Sequence, residues 1–258
     1  MWYNQTNRAA QTISWAWGPG LGAMLSPFTY TTQRRTNLST TPKYTHIIWD
    51  WNGTLFNDVD WCVDVINTML SKRRIKTLRD ISEYRSVFRF PVIEYYRDVG
   101  FDFDIEPFDV LAEEYIELYH TDKSGNCELF TNAEGVLDSI NSMGITQVVL
   151  SASEKSNLLS QMSGFNIGSY FDEVLGLTDI YAKSKLDIGK DYMLRKNIGK
   201  VLLIGDTKHD YEVAQALGAD CVLISNGHQG RATLESCGVI VLDDISHVVE
   251  YIDKYNAH

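Results

Sequence analysis

From residue 133 onward the chain alternates between the two hydrophobic periods that secondary structure imposes, and nothing else in it restricts the fold as much. Helical spacing over Ala133 to Met143 gives way to a short apolar run, Gln147 to Leu150. The pattern then repeats: helix Glu154 to Met162, strand Glu173 to Leu177, helix Lys185 to Lys196, strand Val201 to Ile204, helix Tyr211 to Leu217, strand Cys221 to Ile224. A short helix, a strand near Val239 to Leu242 and a terminal helix, Ser246 to Tyr255, close the series. Strands separated by helices neighbour one another through crossovers. The expected fold is therefore α/β, a Rossmann-like, doubly wound, mostly parallel sheet with helices on both faces.

One more strand is expected upstream. His46-Ile47-Ile48-Trp49 reads as buried, and Asn52-Gly53-Thr54 reads as a tight turn, so Asp50 falls at the strand's carboxyl end. Open α/β sheets hold their ligands there. A carboxylate in that place, beside a glycine that admits close backbone approach, can coordinate a cation or attack an electrophile. Two bland readings compete: an incidental aspartate in a strand-turn, and an N-x-[ST] glycosylation acceptor, which abuts an apolar strand with no secretory signal before it.

Asp50 and Ser151 are 101 positions apart, whereas a βα unit and the next strand need only about 40 residues. The excess is helical: Val59, Cys62, Val63, Ile66, Met69 and Leu70 share one helix face, and further helices are expected over Ile81 to Phe88, Val92 to Val99 and Phe108 to His120. We expect an inserted helical cap over 59–126, with the core formed by 44–58 and 127–258. Residues 1–43 lack any Asp or Glu and are rich in Ser, Thr and Asn. Such an arm has the composition of an organellar transit peptide, or is a disordered extension.

The net charge of -11 argues against a nucleic-acid partner and requires a local cation to draw in an anionic substrate. Cys62, Cys127, Cys221 and Cys237 form no C-x-x-C pair and read as reduced packing residues. The six histidines have no metal-ligand spacing, and no apolar stretch is long enough to span a bilayer. A cytoplasmic protein is expected, or an organellar one if the arm is a transit peptide.

Four groups line up at strand ends or helix starts: Asp50 with Asn52; Ser151-Ala152-Ser153; Lys183 and Lys185; and Gly205-Asp206-Thr207-Lys208-His209-Asp210. In this order the chain, from about residue 44 to its end, resembles the haloacid dehalogenase superfamily, whose motifs read D-x-D-x-T, a strand-terminal Ser/Thr, a Lys, and G-D-x-x-x-D or a close variant. The helical insert is similar to the C1 cap of phosphoglycolate-phosphatase-like members, with Phe88-Arg89-Phe90-Pro91-Val92 and Tyr95-Tyr96 resembling their cap segments.

The resemblance implies a phosphoric monoester hydrolase acting on a small phosphorylated metabolite. It makes Asp50 the nucleophile, with Mg²⁺ on Asp50, the main-chain carbonyl of Asn52 and Asp206, chemistry that suits an oxygen-seeking cation. Ser151, the backbone N–H of Ala152, Thr54 and Lys185 fall on substrate-holding or charge-stabilising positions. Lys183 is the rival of Lys185. Asp210 either orients a metal-bound water or the lysine, or serves as a helix-start carboxylate, or does both. Arg89 contacts a remote anionic group of the substrate or forms an exposed salt bridge. Asn226-Gly227-His228-Gln229 lines the rim or makes a turn that needs glycine.

One position departs from the pattern. Asn52 stands where the superfamily has its general acid and base, and an amide neither gives nor takes that proton. Three readings follow: a phosphatase for good leaving groups, a slow enzyme with another acid, or a degenerate phosphate-binding or regulatory protein. A mutase is disfavoured because it must protonate sugar hydroxyls, and a dehalogenase because it needs no metal. Neither substrate nor oligomeric state is legible.

Overall fold

The computed structural model describes residues 44–121, 127–177, 184–196 and 198–256. The arm at 1–43 and Lys183 lie outside them. The chain runs β1 (Tyr44–Trp49), β2 (Phe56–Asn57), α1 (Val59–Lys72), α2 (Ile81–Val87), α3 (Val92–Asp98), α4 (Phe108–Tyr119), β3 (Glu128–Leu129), α5 (Ala133–Ser142), β4 (Thr146–Glu154), α6 (Lys155–Met162). Then follow β5 (Phe171–Leu177), α7 (Lys185–Lys196), β6 (Lys200–Gly205), α8 (Lys208–Leu217), β7 (Asp220–Ile224), α9 (Arg231–Glu235), β8 (Ile240–Leu242) and α10 (Val248–Asn256).

Six strands make one parallel sheet in the order β5-β4-β1-β6-β7-β8. The chain leaves β1 first toward β4 and β5 and later returns to its other side as β6, which makes the carboxyl end of β1 the switch point where doubly wound sheets leave a crevice. Both faces are covered, as the unbroken apolar strands require. Ile47 and Trp49 of β1 enter one core with Val149, Leu202 and Ile204, while Ile48 enters the other with Val148, Leu150 and Leu203. This is the doubly wound sheet expected from the alternation.

Three differences from expectation are local. Strand β4 runs on through Ser151 to Glu154, with a register shift between Leu150 and Glu154 against β5, so the serine sits in an irregular strand and not after one. Helix α8 starts a turn earlier than its apolar spacing indicates, because Thr207 and Asp210 form a reciprocal capping box. Finally, β2 and β3 pair antiparallel, Phe56 with Leu129 and Asn57 with Glu128. This two-residue ribbon brackets α1 to α4, which pack through an aromatic cluster containing Tyr84, Tyr95, Tyr96 and Phe101. Among the described residues no helix is long and apolar enough to cross a membrane.

Candidate active site

Asp50 leaves β1 with its N–H still bonded to Ile204 O of β6, at 2.9 Å. The chain then doubles back, Leu55 and Phe56 both donating to Trp51 O. Gly53 makes the reversal possible at φ +75°, and a Cβ there would stand 2.3 Å from Asp206 Oδ2. Gly227 has the same relation to the same carboxylate, also at 2.3 Å. Two bare backbones thus close around Asp206. The 226–229 segment therefore needs its glycine and also lines the site, where His228 is buried.

Lys185 comes from the first turn of α7 and is buried. Its Nζ donates to Asp50 Oδ1 and, at 2.6 Å, to Asp210 Oδ1. The other oxygen of Asp210 receives the Thr207 hydroxyl at 2.6 Å and the Thr207 N–H at 3.0 Å. Asp210 thus orients the lysine and caps α8 at once. Asp206 accepts the His228 N–H at 2.6 Å and the Thr54 hydroxyl at 3.2 Å.

Charge is concentrated here on buried side chains. Burial, reinforced by Asp210 and Asp206, pushes Asp50 up to about 8 although Lys185 pulls the other way. Burial likewise raises Asp206, to about 6, against the opposing pull of His228. For Asp210 burial acts upward too, but Lys185 and the Thr207 bonds outweigh it and hold the carboxyl below its ordinary value.

A second network lies beside the first. Asn52 Nδ2 donates to Asp58 Oδ2 at 2.9 Å and Tyr119 Oη at 3.1 Å, and its Oδ1 accepts from Ser153 Oγ at 2.9 Å. Asp58 also accepts from Tyr119 Oη at 2.6 Å and from the Gly53 N–H at 3.2 Å, and lies 3.2 Å from His228 Nε2. Tyr84 Oη is 2.9 Å from His228 Nδ1. Burial opposes a charge on His228, but Asp58 and Asp206 prevail and push it up to about 9. Sequence reasoning missed Asp58, Tyr84 and Tyr119. Their only signal was an aspartate at a helix start, where it would be read as a cap, although its side chain makes no capping bond.

A cavity of about 600 Å³ opens over Asp50, lined by Asn52, Ser151, Ala152, Lys185, Asp206 and Asp210 from the core and by aromatic residues of α2 to α4. Most of the expected site residues are therefore brought together. Two are placed otherwise. Thr54 is fully buried and its hydroxyl faces Asp50 and Asp206, so it braces the carboxylates and is not among the residues that line the cavity. Arg89 lies outside the cavity lining, paired with Asp98 at 2.7 Å and Glu94 at 3.8 Å on an exposed surface.

Residues 47–224 match the family model described as "Haloacid dehalogenase-like hydrolase". The chain belongs to this family. Among curated relatives, the phosphoglycolate phosphatase of Pseudomonas savastanoi pv. phaseolicola is 22% identical over 79% of this chain and 78% of its own length. That of Pseudomonas fluorescens is 24% identical with the same coverage. Among solved structures, a predicted phosphatase from Clostridium acetobutylicum superposes with a TM-score of 0.70 at 19% identity, covering 83% of this chain and 100% of its own. This haloacid dehalogenase-like hydrolase also has the donors the family's Mg²⁺ needs: carboxylate oxygens of Asp50, Asp206 and Asp210 lie within 4.8 Å of one another. An all-oxygen, strongly anionic set with a single ammonium beside it fits a hard divalent cation. Asp58, Cys62 and His228 also converge, but Cys62 and His228 are each already paired with Asp58.

Proposed function

We propose that this hydrolase is a Mg²⁺-dependent phosphatase that removes phosphate from a small phosphorylated metabolite through an aspartyl-phosphate on Asp50. The observation that carries the reading is Lys185 Nζ shared between Asp50 and Asp210, at the floor of a cavity and at the switch point of the sheet. That contact fixes the orientation of one carboxylate oxygen, and the Thr54 hydroxyl lies 3.4 Å from the other. A pure ligand-binding module has no use for a carboxylate so held, which is why the regulatory alternative gains no support.

Asp50, the Asn52 main-chain carbonyl and Asp206 would hold Mg²⁺, with Asp210 behind them, and the ion would neutralise repulsion between carboxylate and phosphate. The chain's own groups do the rest. Lys185, the Ser151 hydroxyl and the Ala152 N–H hold the phosphoryl oxygens in line. An Asp50 oxygen forms a bond to phosphorus as the bond to the leaving oxygen breaks, and that oxygen departs with the electron pair. Water then attacks the phosphorus, the bond to Asp50 breaks, and the carboxylate and inorganic phosphate are released. The helices between β2 and β3 act as the cap that covers these steps and selects the substrate.

The test is direct trapping. Acid-quenched protein incubated with acetyl phosphate and Mg²⁺ should carry one hydroxylamine-labile phosphate, located on Asp50 by mass spectrometry, and EDTA should prevent it. An Asp50→Asn protein that retains native turnover would overturn the mechanism.

A further inference from the structure

The roof of the cavity and the neighbours of Asn52 point to the same feature of the substrate by independent routes. The roof is made of rings. Phe88, Phe90 and Tyr95 stack edge or tilted around the opening, and the apolar side chains of Val92 and Ile116 complete it. Phe90 and Ile116 are 39% and 53% exposed, and both face the cavity. Among the described lining residues there is no arginine and no lysine beyond Lys185, while Glu154 adds a carboxylate near the mouth. Arg89, the cap's candidate for gripping an anion, is turned away onto Asp98 and Glu94. Three histidines also line the cavity, but His228 is paired with Asp58 and His209 lies against the Phe90 ring, so a leaving group that carries its own carboxylate meets no guanidinium and no ammonium beyond Lys185 among the described lining residues. A flat, uncharged, aromatic one finds ring faces and edges.

The second route is proton supply. Asn52 occupies the place of the proton donor, and its amide is held on both ends, by Asp58 and Tyr119 and by Ser153. The groups beyond it direct their protons elsewhere: Tyr119 donates to Asp58, and His228 is held between Asp58 and Tyr84. An oxygen that leaves without a proton must be a weak base. Phenols ionise at about 10, as tyrosine does, whereas an alkanol, like water, is a far weaker acid.

We infer that the substrate is a phosphate monoester of a phenol, with an uncharged aromatic body seated against Phe88, Phe90 and Ile116. This rests on the phosphatase reading above and narrows it: the alkyl ester phosphoglycolate, named for the relatives, is disfavoured both by the charge on its leaving group and by the basicity of its leaving oxygen. The covalent step is the one already written, with the phenolate departing on the electron pair of the broken P–O bond and taking its proton from bulk water.

The experiment measures kcat/KM for the full chain with Mg²⁺ on acetyl phosphate, phenyl phosphate, 1-naphthyl phosphate and phosphoglycolate. Acetyl phosphate needs neither a proton donor nor the aromatic wall, so it reports on the nucleophile alone. The expected result is 1-naphthyl phosphate above phenyl phosphate, through a lower KM, and both at least about 100-fold above phosphoglycolate, the scale of missing acid catalysis. Ile116→Arg, a change at an exposed position, should lower kcat/KM for 1-naphthyl phosphate and raise it for phosphoglycolate, each by about tenfold. If acetyl phosphate is hydrolysed while phosphoglycolate equals or exceeds the aryl esters, the aryl assignment is wrong and the phosphatase reading stands. If no compound is hydrolysed and Asp50 takes no phosphate, both are wrong.

Discussion

The floor and the roof of the cavity are built on opposite principles. On the floor, Asp50, Lys185, Asp206 and Asp210 are buried, and each has its partner within hydrogen-bonding distance. On the roof, rings meet edge to face, and Tyr95 is buried with a hydroxyl that has no partner among the described residues. A floor of this kind allows one arrangement, because removing any charge strands another. A roof of this kind tolerates exchange, since apolar contacts are non-directional. Substitutions below should therefore alter turnover and folding together, and substitutions above should alter affinity.

The largest expected effect is that of Lys185→Met, which leaves Asp50 and Asp210 facing each other without an ammonium. It should lower kcat by about 10³ or more and cost about 3–5 kcal/mol of stability, read from urea unfolding. Retention of both would dissolve the contrast between floor and roof. Asn52→Asp comes next. It places a carboxylate 2.9 Å from Asp58, and two carboxylates that close share a proton. Hydrolysis of alkyl phosphates should rise by about 10², while stability falls by about 1–3 kcal/mol as the amide's donated bonds are lost. No gain on alkyl esters would mean that another group already supplies the proton.

A smaller effect concerns pH. His228 is pushed up to about 9 from an ordinary value of 6.5, so the folded protein holds this proton more tightly than the unfolded one. The stability it contributes is complete below about 6.5 and is lost as pH rises through about 9. Melting temperature should fall by several degrees across that window, and His228→Asn should flatten the fall. An unchanged slope in the variant would remove His228 from this account. Least of all should Arg89→Ala do: its exposed pair is worth about 0–1 kcal/mol, and KM on every substrate should stay as it was. A rise in KM would bring Arg89 back to the cavity.

What was legible in the sequence was local. Asp50, Ser151, Lys185 and Asp206 each stand in or beside a strand end or a helix start, and the parallel sheet brings such positions to one edge whatever the side chains elsewhere do. The Asp58–His228 pairing is of another kind, because it joins the start of α1 to a loop after β7 and depends on how the whole chain closes. Of the two readings open for Arg89, the exposed ion pair is the one the structure contains, for a geometric reason. The backbone at Phe88 is extended and does not continue α2, and Phe88 and Phe90 line the cavity while the arginine between them pairs outside it. The β2–β3 ribbon has two residues per strand, too few to show any period.

The close approach of Gly53 and Gly227 to Asp206 bears on how such a protein diverges. Any side chain at either position would displace the carboxylate it leans on, so single-step change is barred from both sides of Asp206. A duplicated copy of this gene has its freedom in the rings and aliphatic residues overhead, where each replacement redraws the outline of the acceptable guest. Diversity in this lineage should accordingly accumulate in α2 to α4, and descendants with new diets should share an unchanged hearth.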